Sequence, residues 1–543
     1  MQIDRSPPPL FVLGRIATLD PRRPEAEAMA VRAGRIVAVG SIEEVRAALP
    51  HSTPTLDLGE ASVLPGFIDA HLHLVDGGLS LTALDLSGVR ARSEWDARVT
   101  TYLAGHTERW LLGGGWDHEV WGGELPTRDW LDRHTGDRPA LLTRSDLHLA
   151  LANSAALHAA GIDHGGKTAD PEGGRIVRDD AGEPSGLLCD TAIQLVQAEI
   201  PELGEDDEDA ALDRAIAHAL RHGVTQVHDM GSFPPSWRDL EVLERAEATG
   251  RLTLRVAVAT PIEEWGALAD RIGTRGRGTA RLRWGMAKGF VDGSLGAGTA
   301  RFHETLDDLP GRRGLVVTDL EALRADIVGA WGAGIQPLVH AIGDAAVDWL
   351  TDVYARLGPG DGAAPPPRIE HVQHLSPGAA ERIAASRAIA SMQPCHLVAD
   401  APWLERRVGA SRARRAYAIR SLEAAGVPLA FGSDWTVAPL DPLASIRAAI
   451  GRRDAEGHPF HPDERVSFGS ALAACTRGAA AAGGFRHETG VLAPGRRADF
   501  VVVEGLPHPH SRASTDPEVM KEARVARTFI DGEQLYPRET TEA

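Results

Sequence analysis

An apolar run, Val63-Leu-Pro-Gly-Phe-Ile-Asp-Ala, leads directly into His71-Leu-His73. Residues i and i+2 of a strand point the same way, so both imidazoles lie on one side of the chain. Imidazole nitrogen suits Zn, Fe or Mn. The spacing alone is a weak signal: with 22 histidines in the chain, chance supplies about one such pair. His508-Pro509-His510 is a second instance, in a proline-rich C-terminal stretch, and carries little weight. Position separates the two, because the first pair ends an expected barrel strand, where active sites of (β/α)8 barrels sit.

Four more candidates stand in or at the ends of apolar runs. Lys288 lies within Trp284-Gly-Met-Ala-Lys288-Gly-Phe-Val-Asp-Gly-Ser, and His340 ends Gln-Pro-Leu-Val-His340. His371 ends Arg-Ile-Glu-His371-Val-Gln-His374, and Asp434 ends Leu-Ala-Phe-Gly-Ser-Asp434-Trp. A single His or Asp at a strand end is usually a structural hydrogen-bonding residue. Five independent accidents, each on the expected strand, do not explain the set. A buried lysine is costly unless paired or chemically changed.

The elements that must position these residues follow from the apolar pattern. Eight buried-strand candidates are Ser62–Asp69, Gly223–His228, Leu252–Ala259, Arg281–Val291, Gln336–His340, Arg368–His371, Ala388–Gln393 and Pro428–Gly432. From the second onward, helical patterns such as Glu321–Gly332, Ala345–Leu357 and Ala379–Ala385 alternate with them. Strand–helix alternation repeated eight times predicts a parallel α/β barrel, a (β/α)8 TIM barrel. Short apolar runs at both chain ends (Leu10–Thr18, Ala28–Arg32, Arg35–Val39; Asp499–Val503, Val525–Ile530) predict one small β-sandwich built from the two termini. The expected division is residues 1–62 and 486–543 for the sandwich with its C-terminal tail, and 63–485 for the barrel.

The interval from Gly77 to about Leu203 is too long for one connection. It holds its own strand-like pieces, Trp110–Gly113 and Ala140–Thr143, the run Gly113-Gly114-Gly115, and tryptophans 110, 116, 121 and 130. It reads as an inserted lid subdomain over the barrel mouth.

Composition bounds the rest. The chain has 543 residues, 43% hydrophobic and 24% charged, with a formal net charge of -19. That balance is ordinary for globular proteins and argues against nucleic acid as the main partner. No apolar run approaches a membrane span. The N-terminal stretch lacks a basic-then-apolar signal pattern. Cys189, Cys395 and Cys475 are far apart and in no paired motif. They predict a reducing, cytoplasmic setting.

Pro-Gly-Phe-Ile-Asp-Ala-His-Leu-His, His-Ala-Ile-Gly-Asp, Glu-His-Val-Gln-His and Gly-Ser-Asp-Trp resemble the amidohydrolase superfamily. Within it they look like the branch of YtcJ-like amidohydrolases and N-substituted formamide deformylases. The resemblance covers nearly the whole chain, from Gly14-Arg-Ile to Gly495-Arg-Arg-Ala-Asp-Phe. It implies that His71 and His73 hold the more buried of two divalent metal ions, with zinc the first choice. It implies that Lys288 is carboxylated by CO2 and bridges both ions through its carbamate. His340 and His371 would hold the second ion, and Asp434 the first ion and the nucleophilic water. A structural lysine paired with a carboxylate is the alternative for Lys288, and His374 is the rival to His371.

One departure stands out: the family's Asp-Gly-Ser-Leu-Gly-Ser-Arg-Thr-Ala reads Asp292-Gly-Ser-Leu-Gly-Ala-Gly298-Thr-Ala here, with Arg301 three residues further on. In the insertion, Gly115-Trp116-Asp117 and Asp146-Leu-His148 with Asn153-Ser154 resemble family segments. Trp116 is expected to wall the substrate pocket and His148 to hydrogen-bond a carbonyl, against a reading in which the tryptophans build the insertion's core.

The expected reaction is metal-assisted hydrolysis of a non-peptide C–N bond in a small-molecule amide or N-substituted formamide, with Asp434 as base. The rivals are a mononuclear deaminase or cyclic-amide hydrolase with Lys288 unmodified, and a non-catalytic scaffold. No nucleic acid or membrane partner is expected; a homodimer is the assembly entertained.

Overall fold

A computed structural model describes residues 8–162, 168–232, 236–358, 360, 362, 364–506 and 517–537. His508 and His510 lie outside the described residues. Eight parallel strands form one sheet in chain order, β1 (Phe67–Leu72), β2 (Val224–Asp229), β3 (Arg255–Pro261), β4 (Leu282–Phe290), β5 (Gln336–Ala341), β6 (Arg368–His371), β7 (Ile389–Met392) and β8 (Leu429–Phe431). Helices alternate with strands from β2 onward. Every residue of β2, β3, β5, β6 and β7 is buried. That is why these strands read as continuous apolar runs rather than alternating ones.

The first and last strands meet at the C-terminal rim. Asp434 N donates to His71 O (2.7 Å), and His73 N donates to Trp435 O (2.9 Å). Asp69 Oδ1 accepts from the backbone N–H of His71 (3.0 Å) and of Ser433 (3.1 Å). Gly432 permits this approach, since a Cβ there would lie 2.5 Å from His71 N. The barrel thus closes at the residues expected to carry the chemistry.

The expected strand Ser62–Asp69 is two strands. Thr55–Pro65 belongs to the terminal sheet, and β1 begins only at Phe67. Gly66 is the joint. Its N–H donates to Asp499 O (3.0 Å), and a Cβ would sit 2.2 Å from Thr225 Oγ1. The chain changes sheets there without a break in hydrophobicity, so composition could not mark the boundary.

Both chain ends share one seven-stranded sheet, in which Phe500–Glu504 pairs antiparallel with Thr55–Pro65. Alternate residues of Phe500–Glu504 face different cores: Val501 and Val503 join the barrel's apolar core, and Phe500 and Val502 pack within the terminal sheet. The two units are therefore stitched by one strand with period-2 alternation. Arg255 adds a buried ion pair with Asp499 (2.6 Å) across the same boundary.

Between β1 and β2 lies a second six-stranded sheet, running from Gly174–Arg178 at one edge to Leu84–Asp85 at the other. Trp95, Trp116 and Trp130 are buried in its core, with Trp95 5.6 Å from Trp130 and 6.2 Å from Trp116, edge to face. Among the described residues, no helix is long and apolar enough to cross a membrane.

Candidate metal centre

The ends of β1, β4, β5, β6 and the turn after β8 converge on one cavity of about 780 Å³, lined among others by His71, His73, Lys288, His340, His371 and Asp434. All six side chains are buried. His371 (φ 75°) and Asp434 (φ 57°) occupy the left-handed region. For non-glycine residues this costs on the order of 1 kcal/mol each and persists where surrounding bonds over-determine it. Here Val372 N donates to Ala341 O (3.2 Å), and Asp434 N to His71 O (2.7 Å). The strained backbone aims both side chains inward.

Each of the four imidazoles has one ring nitrogen committed to a protein acceptor. His71 Nδ1 donates to Glu370 Oε2 (2.6 Å) and His73 Nδ1 to Gly231 O (2.5 Å). His371 Nδ1 donates to Gln393 Oε1 (2.9 Å), and His340 Nε2 to Gly293 O (3.1 Å). An imidazole with one N–H so pinned offers the other nitrogen's lone pair, the arrangement metal-ligating histidines use. His71 Nε2 and His73 Nε2 lie 3.5 and 3.4 Å from Asp434 Oδ1. Two ligands on one tetrahedral ion with bonds of about 2.0–2.1 Å stand about 3.4 Å apart. Asp434 Oδ1 therefore stands at ligand spacing from each of these two imidazoles. His71, His371 and Asp434 offer ligand atoms all within 4.8 Å of one another. The donor set fits a divalent transition metal.

The electrostatics agree. Burial lowers His71 to about 4 and drives His340 and His371 well below the usual imidazole range, leaving them neutral, the ligand form. His73 is the exception: burial opposes its protonation, but the Asp434 carboxylate outweighs burial and raises it. Burial also opposes charge on Asp434, yet the surrounding imidazoles hold it well below the usual carboxylate range. Lys288 Nζ stands 3.3 Å from His71 Nε2 and 4.9 Å from the Phe290 ring centroid. Among the described residues, Lys288 forms no ion pair with a carboxylate. Burial lowers it to about 8.

A buried ion pair stands behind His71. Arg368 donates to both Glu370 oxygens (2.7 and 3.0 Å), to Ala70 O (2.6 Å) and to Ser391 Oγ (2.9 Å). Burial opposes ionisation of Glu370, but Arg368 and His71 hold its carboxyl well below the usual range. An ionised carboxylate accepts and does not donate, which fixes the proton of His71 on Nδ1. Replacing Glu370 by Gln removes that constraint. Zinc affinity is expected to fall about 10–100-fold, read by chelator competition on protein whose circular dichroism is unchanged; an unaltered affinity would contradict the assignment.

Not every expected residue joins the cavity. Trp116 is a correction: fully buried in the insertion's core, it donates Nε1–H to Leu142 O (2.8 Å) and does not line the cavity. The insertion reaches the site through other residues, among them Asp117, Val120, Arg144, Asp146, Leu147 and His148. His148 Nδ1 lies 2.6 Å from Asp190 Oδ1, and its ring centroid is 5.1 Å from that of His340. His374 does not line the cavity. Both its ring nitrogens are buried without a hydrogen-bond partner, and it packs edge-on to Phe302. Neither Gly298 nor Arg301 lines the cavity.

Three residues with a part here had no assigned role in the sequence. Glu370 was hidden beside His371 in the same tetrapeptide. Asp190 ends Pro184–Asp190 of the insertion with no motif around it. His396, in the helix Pro394–Val408, brings Nε2 within 3.9 Å of Asp434 Oδ2. Its only signal was a histidine shortly after β7.

Residues 55–536 match the model of an amidohydrolase family. The chain belongs to the amidohydrolase family. The LONG AFTER FAR-RED 3 protein of Arabidopsis thaliana is 40% identical, covering 97% of this chain and 91% of its own. A putative amidohydrolase, YtcJ, of Bacillus subtilis is 32% identical, and an N-substituted formamide deformylase of Arthrobacter pascens 26%, each covering 97% of this chain and 98% of its own. An uncharacterized metal-dependent hydrolase from Pyrococcus horikoshii shares the fold with a TM-score of 0.74 at 27% identity, covering 95% of this chain and 99% of its own. The branch read from the strand-end motifs is the one these relatives occupy, and this amidohydrolase has the eight-stranded parallel barrel that those motifs implied.

Proposed function

We propose that this amidohydrolase is a metal-dependent hydrolase that cleaves the C–N bond of a small non-peptide amide, with N-substituted formamides the first class to test. The observation that carries the reading is the set of imidazoles, each with one N–H pinned, gathered around an ionised Asp434. The relative that acts as a formamide deformylase supports the choice of bond.

His71, His73 and Asp434 would hold one ion, and His340 and His371 a second. Lys288, as the neutral amine, would add through Nζ to CO2 with loss of one proton, and the resulting carbamate would supply the anion that two neighbouring cations need. Divalent cations, zinc first, supply Lewis acidity when bound, lowering the pKa of water and polarising a carbonyl. The Asp434 carboxylate accepts a proton from the attacking water and delivers it to the leaving nitrogen. His148, held by Asp190, hydrogen-bonds the substrate carbonyl oxygen. The apolar wall of Leu147, Phe290, Leu295 and Ile342 excludes bulk water from these exchanges.

One observation favours a second reading. The tight three-ligand cluster of His71, His371 and Asp434 is also what a mononuclear deaminase would need. Hydrolysis of N-formyl, N-acyl and cyclic amides by metal-loaded protein, beside deamination of amino-heterocycles, separates the two. Release of amine and acid from an acyclic amide is the expected result; ammonia release from heterocycles alone would overturn it.

A further inference from the structure

Away from the reacting groups, the same cavity carries a charge arrangement that hydrolysis does not use. Asp117, Arg144 and Asp146 line its insertion side, and Asp400 lines it from the helix Pro394–Val408. The Arg144 guanidinium is already paired with two of these carboxylates. It bonds Asp117 Oδ1 (2.5 Å), Asp146 Oδ2 (2.7 Å) and, through Nε, His118 Nδ1 (3.3 Å), with only 3% of its side chain exposed. Asp400 Oδ2 accepts from Tyr417 Oη (2.6 Å). No ion pair or further hydrogen bond reaches Asp400 among the described residues.

The inner wall thus holds three carboxylates against one guanidinium, beside apolar Val120, Leu147, Leu295 and Val398. The remaining arginines of the lining, and Lys521, do not redress this. Arg90 and Arg453 are exposed. Arg447 pairs with Asp441 (3.3 Å) and Lys521 with Glu518 (2.6 Å). Burial, with the neighbouring Asp117 and Asp146 carboxylates, pushes the Asp400 carboxyl up to about 7 against the opposing pull of the Tyr417 hydroxyl and the Arg144 guanidinium.

We infer that the substrate's end remote from the scissile amide carries a protonated amine, bound by Asp400 within this acidic wall. This deepens the hydrolase reading and rests on it. An ammonium with a half-buried carboxylate partner gains a charge-assisted hydrogen bond, which corresponds to about a 10–100-fold preference. A carboxylate in the same place would face a wall in which carboxylates outnumber the one guanidinium.

The test uses metal-loaded full-length protein and three amides on one scaffold, ending in ammonium, methyl or carboxylate, compared by kcat/KM for wild type and Asp400→Asn. The ammonium compound is expected to lead the methyl compound by about tenfold or more, carried by KM, with the carboxylate poorest. In Asp400→Asn the ammonium-to-methyl ratio is expected to fall towards one. A wild-type enzyme that takes the methyl compound equally well overturns the inference, as does a folded Asp400→Asn that keeps the wild-type ratio. If Asp400→Asn does not fold, the wild-type ratio decides. If no amide is cleaved, the hydrolase reading fails. Calorimetric binding of the same compounds then decides the inference separately: tighter ammonium binding supports it, and equal binding overturns it.

Discussion

Asp434→Asn is expected to lower kcat by at least about a hundredfold while the bound metal stays within a factor of about two of wild type. The two oxygens of Asp434 divide the work. Oδ1 stands 3.5 and 3.4 Å from His71 and His73, and Oδ2 3.8 and 3.9 Å from His371 and His396. An asparagine keeps the shape and one oxygen donor, so it retains a ligand. It has no basic site for the proton of the attacking water. The left-handed backbone at this position suits asparagine at least as well as aspartate, so misfolding is not the expected cause of a loss. Metal content and kcat are measured on the same preparation. Near-normal turnover with metal retained would remove Asp434 as the base.

The second large effect concerns Lys288. A lysine buried to 2% exposure with no carboxylate partner among the described residues is a poor structural residue. The paired-lysine alternative requires an ion pair that Lys288 does not make among the described residues. Lys288→Met preserves length and removes the amine. Bound metal is expected to fall from two ions per chain to one or none, and kcat by about a hundredfold or more, since the bridging anion is lost. The thermal midpoint of metal-free protein is expected to rise, because an apolar side chain suits the site better than a buried amine without a carboxylate among the described residues. Isotope-labelled CO2 should give a carbamate signal in wild type that the variant lacks. An unchanged metal count with full activity would show that Lys288 bridges nothing.

How far the sequence foretold these sites depends on what each residue answers to. His71, His73, His340, His371 and Asp434 were legible because the strand ends of a parallel barrel all face one rim. An apolar run that stops at a ligand-type residue therefore places that residue. The same logic could not locate the switch at Gly66, because buried terminal-sheet and buried barrel strands share one composition. It could not distinguish Trp116 from its neighbour Asp117, which does line the cavity. Adjacent strand residues face opposite sides, and large aromatics serve pockets and cores alike. Glu370, Asp190 and His396 act through partners 299, 42 and 38 residues away. No local periodicity encodes such pairings. His374 shows the converse: ligand chemistry at a near-ligand position, yet turned into an apolar niche.

The central claim is that these side chains exist to hold metal for amide hydrolysis. It is tested most directly by stripping the protein with a chelator and titrating zinc back in the presence of bicarbonate. Bound zinc and the rate of amine release from an N-substituted formamide are followed together. The account predicts no measurable hydrolysis in the stripped protein and a rate that rises with bound zinc, levelling at two ions per chain. Hydrolysis that persists without metal, or protein saturated with zinc that cleaves none of the formamide and amide panel, would contradict it.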